Sequence, residues 1–270
     1  MRKLIIRILK KLIRDLSKKK LKEFSSYHEA IEFCESKTKG AYESKIFCKY
    51  RFESTENFLD TGGNILDSPK IQIFLFGILY FMKKNNGKCP KIIDYGGACG
   101  LSIKLLEEVF GEEIYSNSWI IESPQQVKES REWRFSSKLQ FISDLNKVIK
   151  SNSIDIFFSS GTIQYLENPY KPLEIVADSQ IPIVVLTRNN FSDKSYIFAQ
   201  ETILSGNSLG DSIKKYGDPK IYYPNTPINK KKLINIFEKR GYTILLDKKS
   251  NNGVVGKSNY GGDLILLKSF

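Results

Sequence analysis

IIDYGGACG, residues 92–100, is a short hydrophobic run that ends on an acid, breaks into small residues and opens directly onto an amphipathic helical pattern, LSIKLLEEVF at 101–110. That order predicts a strand, a tight turn and a helix. Gly96, Gly97, Ala98 and Gly100 let the backbone turn sharply and approach a ligand closely, at the end of a strand where doubly wound sheets bind their ligands. A dinucleotide fingerprint places its last glycine five positions after its first. Here Gly96 and Gly100 are four apart, with Ala98 between them and Leu101 at the fifth position. The spacing therefore counts against a nicotinamide-dependent sugar-modifying enzyme, which stays as an alternative.

Outward from this stretch the chain alternates short apolar runs with polar helical ones. The candidate strands are KIIDY (91–95), WIIE (119–122), LQFI (139–142), IDIFFS (154–159), IPIVVLT (181–187), YTILLD (242–247) and DLILLK (263–268). Seven such runs with helical connections predict an α/β, doubly wound, mostly parallel sheet. The last two are joined by only about fifteen residues rich in Gly, Asn and Ser, too short for a helical crossover, so the last strand is expected to run antiparallel. At 270 residues the chain holds one large domain with an appended helical segment. The expected organisation is a basic amphipathic helix at 1–24, a helical region packing on the core at 25–88, and the sheet domain at 89–270.

Within the middle region, residues 27–39 predict a helix closed by Gly40 as C-cap, with His28 near its start. Asp67-Ser68-Pro69 predicts the start of a helix carrying IQIFLFGILYFM (71–82), which at twelve residues suits burial against the sheet rather than a membrane span.

Composition narrows the function. The 41% hydrophobic and 12% aromatic content suits a packed core. Cys34, Cys48, Cys89 and Cys99 show neither metal-site spacing nor a disulfide framework, which fits a reducing, cytoplasmic compartment, and no metal is implied. His28 is the single histidine, so His-rich metal centres are excluded, and it remains an outside catalytic candidate. Of the net charge of +12, residues 1–22 account for +9, with ten Lys or Arg against Asp15. The remainder is nearly balanced, which argues against nucleic acid as a partner.

In that segment Ile5, Ile8, Leu9, Leu12, Ile13 and Leu16 recur at spacings of three and four, lining one face of a helix opposite its cations. The apolar run is too short for a signal peptide or a span. Such a helix suits either peripheral docking on the anionic inner face of the cytoplasmic membrane or packing on the domain or on a second subunit, as in a homodimer.

The stretch 92–100 resembles the first motif of class I S-adenosylmethionine-dependent methyltransferases, roughly D-x-G-x-(G/A)-x-G. The resemblance implies a Rossmann-like methyltransferase fold with S-adenosylmethionine as cofactor. It assigns Asp94, Tyr95, Gly96, Gly97, Ala98 and Gly100 to the methionine moiety. Glu122, 28 residues after Asp94, stands with Ser123 where an acid accepts from both ribose hydroxyls. Asp144 and Leu145 fall where the family places an acid near the adenine amino group. IDIFFSSGTIQYLENP (154–169) resembles the family's fourth strand and the loop after it, bringing Ser159 and Ser160 to the cofactor. There the family often has Glu-His-Leu, whereas this chain has Gln164 and Tyr165, which leaves the identity of the base open. Tyrosine, with a pKa near 10, is a poor base at neutral pH.

From Gly40-Ala41-Tyr42 onward, through DYGGACG, WIIESP, FSSGTIQYLENP, LTRNNF and YYPN, the chain also resembles a small bacterial group of methyltransferase-like proteins associated with surface-polysaccharide assembly. The resemblance implies a glycan or sugar-precursor acceptor. Tyr165, Gln164 and Arg188, with Asn189, are the acceptor-side candidates. Arg188 suits a phosphate, a diphosphate or an acidic sugar, and equally a surface salt bridge. Tyr222, Tyr223 and Asn225 are expected in a loop closing over the acceptor. A non-catalytic, membrane-associated scaffold that keeps the fold is the third reading.

Overall fold

The computed structural model describes residues 22–40, 43–60, 68–133, 135–207, 216–250 and 259–268. Residues 1–21 of the basic segment, Ala41-Tyr42 and Asp67 lie outside them, and so do the membrane and second-subunit readings of the N-terminus.

All seven expected strands form one sheet. They are β2 (Lys91–Tyr95), β3 (Asn117–Ile121), β4 (Leu139–Ile142), β5 (Ile156–Ser160), β6 (Ile183–Phe191), β9 (Tyr242–Ser250) and β10 (Tyr260–Lys268), in the order β4-β3-β2-β5-β6-β10-β9. β2, β3, β4, β5 and β6 pair in parallel, while β10 runs antiparallel to both its neighbours. The strand order reverses between β2 and β5, which opens a crevice above the carboxyl ends of those two strands.

The apolar runs are near-continuous because both faces of the sheet are buried. Ile93, Phe157, Val184 and Leu266 point to one face, against α6 (Leu145–Ser151), α7 (Lys171–Asp178) and α8 (Lys230–Glu238). Ile92, Phe158, Val185 and Ile265 point to the other, against α3 (Pro69–Lys84) and α4 (Leu101–Phe110). α3 approaches closely: the Phe74 and Phe158 rings stack at 4.0 Å, and a Cβ on Gly77 would come within 2.9 Å of Val185 Cγ2.

A second, smaller sheet was not legible in the sequence. β1 (Glu23–Phe24), β7 (Ile197–Ile203) and β8 (Lys220–Asn225) pair antiparallel in the order β1-β7-β8. Tyr222, Tyr223 and Asn225 thus lie in a strand, not in the expected loop. Pro224 disguised it, and it is tolerated because β8 is an edge strand. α1 (Tyr27–Lys37) packs on β7 and β8, and α2 (Lys45–Asp60) packs on α5 (Pro124–Ser130). α1 begins at the N-cap Ser26, whose hydroxyl accepts from Glu29 N, while the Glu29 carboxylate reaches back to accept from Ser25 N. It ends two residues before Gly40, at Thr38, whose N–H makes the last i→i−4 bond, to Cys34 O, and whose extended backbone carries the chain out of the helix. Phe47 and Tyr50 of α2 meet Leu204, Ile221 and Tyr223 in a satellite core that ties α2 to the small sheet.

Candidate functional site

The loop after β2 is set by its backbone. Gly96 has φ +71°, and its N–H donates to Ile121 O at 2.8 Å, tethering the loop to β3. A Cβ there would lie 2.1 Å from Thr162 Oγ1, and one on Gly97 would lie 2.5 Å from the Asp94 carboxylate. Neither position accepts a larger residue without rearrangement. Ala98, a non-glycine at φ +57°, donates its N–H to Glu122 Oε1 at 2.8 Å. Gly100 caps α4 in the left-handed region, and its missing side chain faces Leu139 rather than the crevice.

Above the loop lies a cavity of about 620 Å³. Asp94, Gly96, Gly97, Ala98, Glu122 and Ser123 form its floor, and Ser160, Gly161, Thr162, Tyr165 and Arg188 one wall. Arg51, Ser54 and Thr55 of α2 and Ser68, Pro69 and Lys70 at the start of α3 roof it. Apart from the basic amphipathic segment and His28, the sequence points to this N-terminal region only as packing. Its one signal was Lys70, a lone cation in the first turn of an otherwise apolar helix.

Two groups in the cavity lack what their charges need. Asp94 is 1% exposed, and its Oδ2 is buried without a hydrogen-bond partner. Burial pushes the Asp94 carboxyl up to about 7; Lys70 opposes the shift and Glu122 adds to it. The Lys70 amine is brought down to about 8, by burial first and then by the charge of Arg188. No ion pair joins the two. A ligand carrying an ammonium and a carboxylate side by side, as the amino-acid end of S-adenosylmethionine does, would satisfy both. Glu122, just past the carboxyl end of β3 on the same floor, accepts from Ala98 N and from Ser123 N. The residues present therefore fit that cofactor.

The wall is polar and cross-braced. Gln164 is buried; its Nε2 donates to Arg188 O at 3.3 Å, while its Oε1 has no partner. The Tyr165 ring meets Tyr223 edge-on at 4.9 Å. Burial raises the Tyr165 phenol, against the charge of Arg188 and hydrogen bonds with Gln164, Tyr223 and Gln200. Behind it runs a chain of amides: Asn190 Nδ2 donates to Asn225 Oδ1, Asn225 Nδ2 to Gln200 Oε1, and Gln200 Nε2 to Tyr223 Oη at 2.8 Å. Tyr222 instead donates to Glu201 on the exposed side of the small sheet, and Asn189 donates to Gly262 O in the main one.

Several expected site residues lie elsewhere. Ser159 donates to Tyr95 O at 2.9 Å and does not line the cavity, whereas the hydroxyl of its neighbour Ser160 is buried there without a partner. Tyr95, Asp144 and Leu145 border a separate cleft of about 230 Å³ between α6 and α7. Asp144 Oδ1 caps α6 by accepting from Lys147 N at 3.1 Å, and Leu145 is buried in the core. His28 is exposed on α1, paired with Glu32, and takes no part in the cavity lining.

No protein-family model and no curated protein matches the chain. Among solved structures, it is similar to an S-adenosylmethionine-dependent methyltransferase from Clostridium acetobutylicum, over 83% of this chain and 100% of that one, at 12% identity and a TM-score of 0.50. It is also similar to a magnesium protoporphyrin IX methyltransferase from Synechocystis with bound cofactor (71% and 76% covered, 13% identity, TM-score 0.43) and to human N-acetylserotonin methyltransferase (85% and 58%, 10%, 0.46). The first likeness agrees with the strand order above: the chain has a Rossmann-like methyltransferase fold.

Proposed function

We propose that this chain is an S-adenosylmethionine-dependent methyltransferase that O-methylates a sugar hydroxyl of a bacterial surface polysaccharide or of its lipid-linked or nucleotide-linked precursor. The observation that carries the cofactor is the floor of the cavity: a loop whose Gly96 and Gly97 leave no room for a Cβ, beside a buried Asp94 oxygen without a partner. When bound, the cofactor supplies a methyl group already activated by its sulfonium. Asp94 would hold the ammonium, Lys70 the carboxylate and Glu122 the ribose. The remaining task is to hold an acceptor oxygen in line at near-attack distance. Tyr165 and Ser160 supply hydrogen-bonding groups on the wall that suit a sugar, with Gln164 buried behind them. Since its pKa is raised, Tyr165 stays protonated at neutral pH and orients the acceptor rather than taking its proton.

The sugar acceptor rests on that polar wall and on the sequence resemblance. Among the described residues no helix is long and apolar enough to cross a membrane. The basic segment 1–22 would bring the enzyme to an anionic membrane surface, where lipid-linked precursors concentrate, or would join two copies. Calorimetry with S-adenosylhomocysteine and with NAD tests the cofactor: the first binds and the second does not. Binding of NAD alone would overturn the reading, and binding of neither would leave a scaffold. Transfer of labelled methyl to lipid-linked oligosaccharide, and not to a lipid or peptide lacking sugar, tests the acceptor.

A further inference from the structure

β6 carries a bulge at its carboxyl end. Asn189 pairs with Gly262 and Leu186 with Leu264, so Thr187 and Arg188 together stand opposite Asp263 alone. Bulges of this kind re-aim a side chain and recur beside active sites. Thr187 and Asn189 are both buried, while Arg188 between them is exposed and turned into the cavity. Its φ of +56° is a left-handed conformation that a non-glycine residue adopts only at a cost.

The surroundings hold it there. Arg188 N donates to Asp263 Oδ1 at 2.8 Å, Arg188 O accepts from Gln164 Nε2 at 3.3 Å, and Thr187 O accepts from Gly161 N at 2.9 Å. The guanidinium lies over Gly161, where a Cβ would be 3.7 Å from Cζ and Nε. For all this bracing of its backbone, the guanidinium itself makes no hydrogen bond or ion pair with any described residue, unlike the ordinary surface salt bridge the sequence also allowed. It shares the cavity with the partnerless Ser160 hydroxyl and with Lys70, whose amine it helps to discharge.

We infer that the bulge presents Arg188 to an oxyanion on the acceptor, so that the substrate is an anionic sugar bearing a phosphate, a diphosphate or a carboxylate. The inference rests on the methyltransferase reading. With the cofactor carboxylate on Lys70, Arg51 and Arg188 are the cations of the lining left for the acceptor, and Arg188, whose guanidinium has no partner among the described residues, offers a planar fork that matches an oxyanion in two parallel hydrogen bonds. An anion there also offsets the repulsion between the guanidinium and the sulfonium. Asp263 and Gln164 act through Arg188 as positioning residues.

Calorimetry on the full chain tests this with inorganic phosphate, pyrophosphate and glucuronate, each with and without saturating S-adenosylhomocysteine. At least one binds the S-adenosylhomocysteine complex, and the tightest identifies the group. Arg188→Gly weakens that binding tenfold or more and leaves S-adenosylhomocysteine affinity within about twofold. It also raises Tm, because glycine relieves the left-handed strain. Asp263→Ala weakens anion binding in the same direction, and Asp263→Asn, whose oxygen still accepts from Arg188 N, restores it. The inference is overturned if no anion binds while S-adenosylhomocysteine does, or if Arg188→Gly leaves every anion affinity unchanged. It is overturned too if anions bind only in competition with S-adenosylhomocysteine, which would assign Arg188 to the cofactor. Failure of S-adenosylhomocysteine to bind would instead sink the methyltransferase reading, while the titrations without it still report on Arg188.

Discussion

On the floor of the cavity, Asp94, Gly96, Gly97 and Ala98 follow one another along a single turn, whereas the roof and wall draw Arg51 from α2, Lys70 from α3, Tyr165 from the loop after β5 and Arg188 from a bulge in β6. The floor works through backbone shape, with glycines where a Cβ would strike Thr162 or Asp94. The roof and wall work through charge and hydroxyl groups on long side chains. Under the proposed function the floor, with Lys70 above it, serves the cofactor, and the wall of Tyr165 and Arg188 sorts acceptors.

The largest effect should come from breaking the floor. Gly96→Ala puts a methyl 2.1 Å from Thr162 Oγ1 at a left-handed φ. Strain and overpacking together cost roughly 2–4 kcal/mol, so S-adenosylhomocysteine affinity should fall by roughly 30-fold to 1,000-fold and Tm should drop. Unchanged binding by calorimetry would show that the floor is not the cofactor site.

Removing a charge from the roof should cost less. Lys70→Met takes away the cation that opposes the rise of the Asp94 carboxyl. The loss of one charge-assisted contact is worth about 1.5–3 kcal/mol, or roughly 10-fold to 100-fold in affinity. Because Asp94 then titrates higher still, the pH at which binding sets in should move upward, and a fixed pH profile would deny the coupling between roof and floor.

The wild-type profile is itself a prediction. Asp94 titrates near 7 in the free protein, and a bound ammonium favours its charged form. S-adenosylhomocysteine affinity should therefore weaken as pH falls through 7, by up to about tenfold per pH unit below it. Stability of the free protein runs the other way. With the folded value raised above the unfolded one, the contribution of Asp94 is present below the ordinary carboxylate range and is lost as pH rises to about 7. Thermal melts between pH 4 and 8, with and without ligand, should diverge. Parallel curves would remove Asp94 from the site.

Smaller changes sharpen the division. Tyr165→Phe should lower turnover by roughly tenfold, the lower end of what a lost acceptor-orienting contact costs, and leave S-adenosylhomocysteine affinity as it was, since the hydroxyl belongs to the wall. Equal losses in both would place Tyr165 with the floor. Asp144→Asn keeps the cap on α6, because asparagine caps as well as aspartate. Stability and S-adenosylhomocysteine affinity should both hold, since Asp144 borders a separate cleft, and a drop in affinity would bring Asp144 into the cofactor site.

Much of the floor could be read from order along the chain. An apolar run, an acid and closely spaced small residues before a helical pattern describe a local event, and the seven apolar runs predicted the seven strands because both sheet faces are covered. Ser159 and Ser160 show the limit of such reading. Alternation along a strand sends adjacent residues to opposite sides, and only the packed sheet shows that Ser160 reaches the cavity while Ser159 turns to Tyr95 O. β7 and β8 gave no pattern to follow: IFAQETI buries its residues irregularly and KIYYPN contains a proline.

By itself, then, the sequence determined the sheet, its antiparallel last strand and the glycine loop at its crevice, because each depends on periodicity or on glycine's freedom over a few consecutive residues. Only the tertiary structure decided that Lys70 roofs Asp94, that Tyr165 leans on Tyr223 and that Asp263 holds Arg188 in its bulge. These contacts join residues far apart along the chain, brought together by strand pairing and helix packing. Their chemistry arises from burial and neighbouring charge, which no stretch of sequence carries alone.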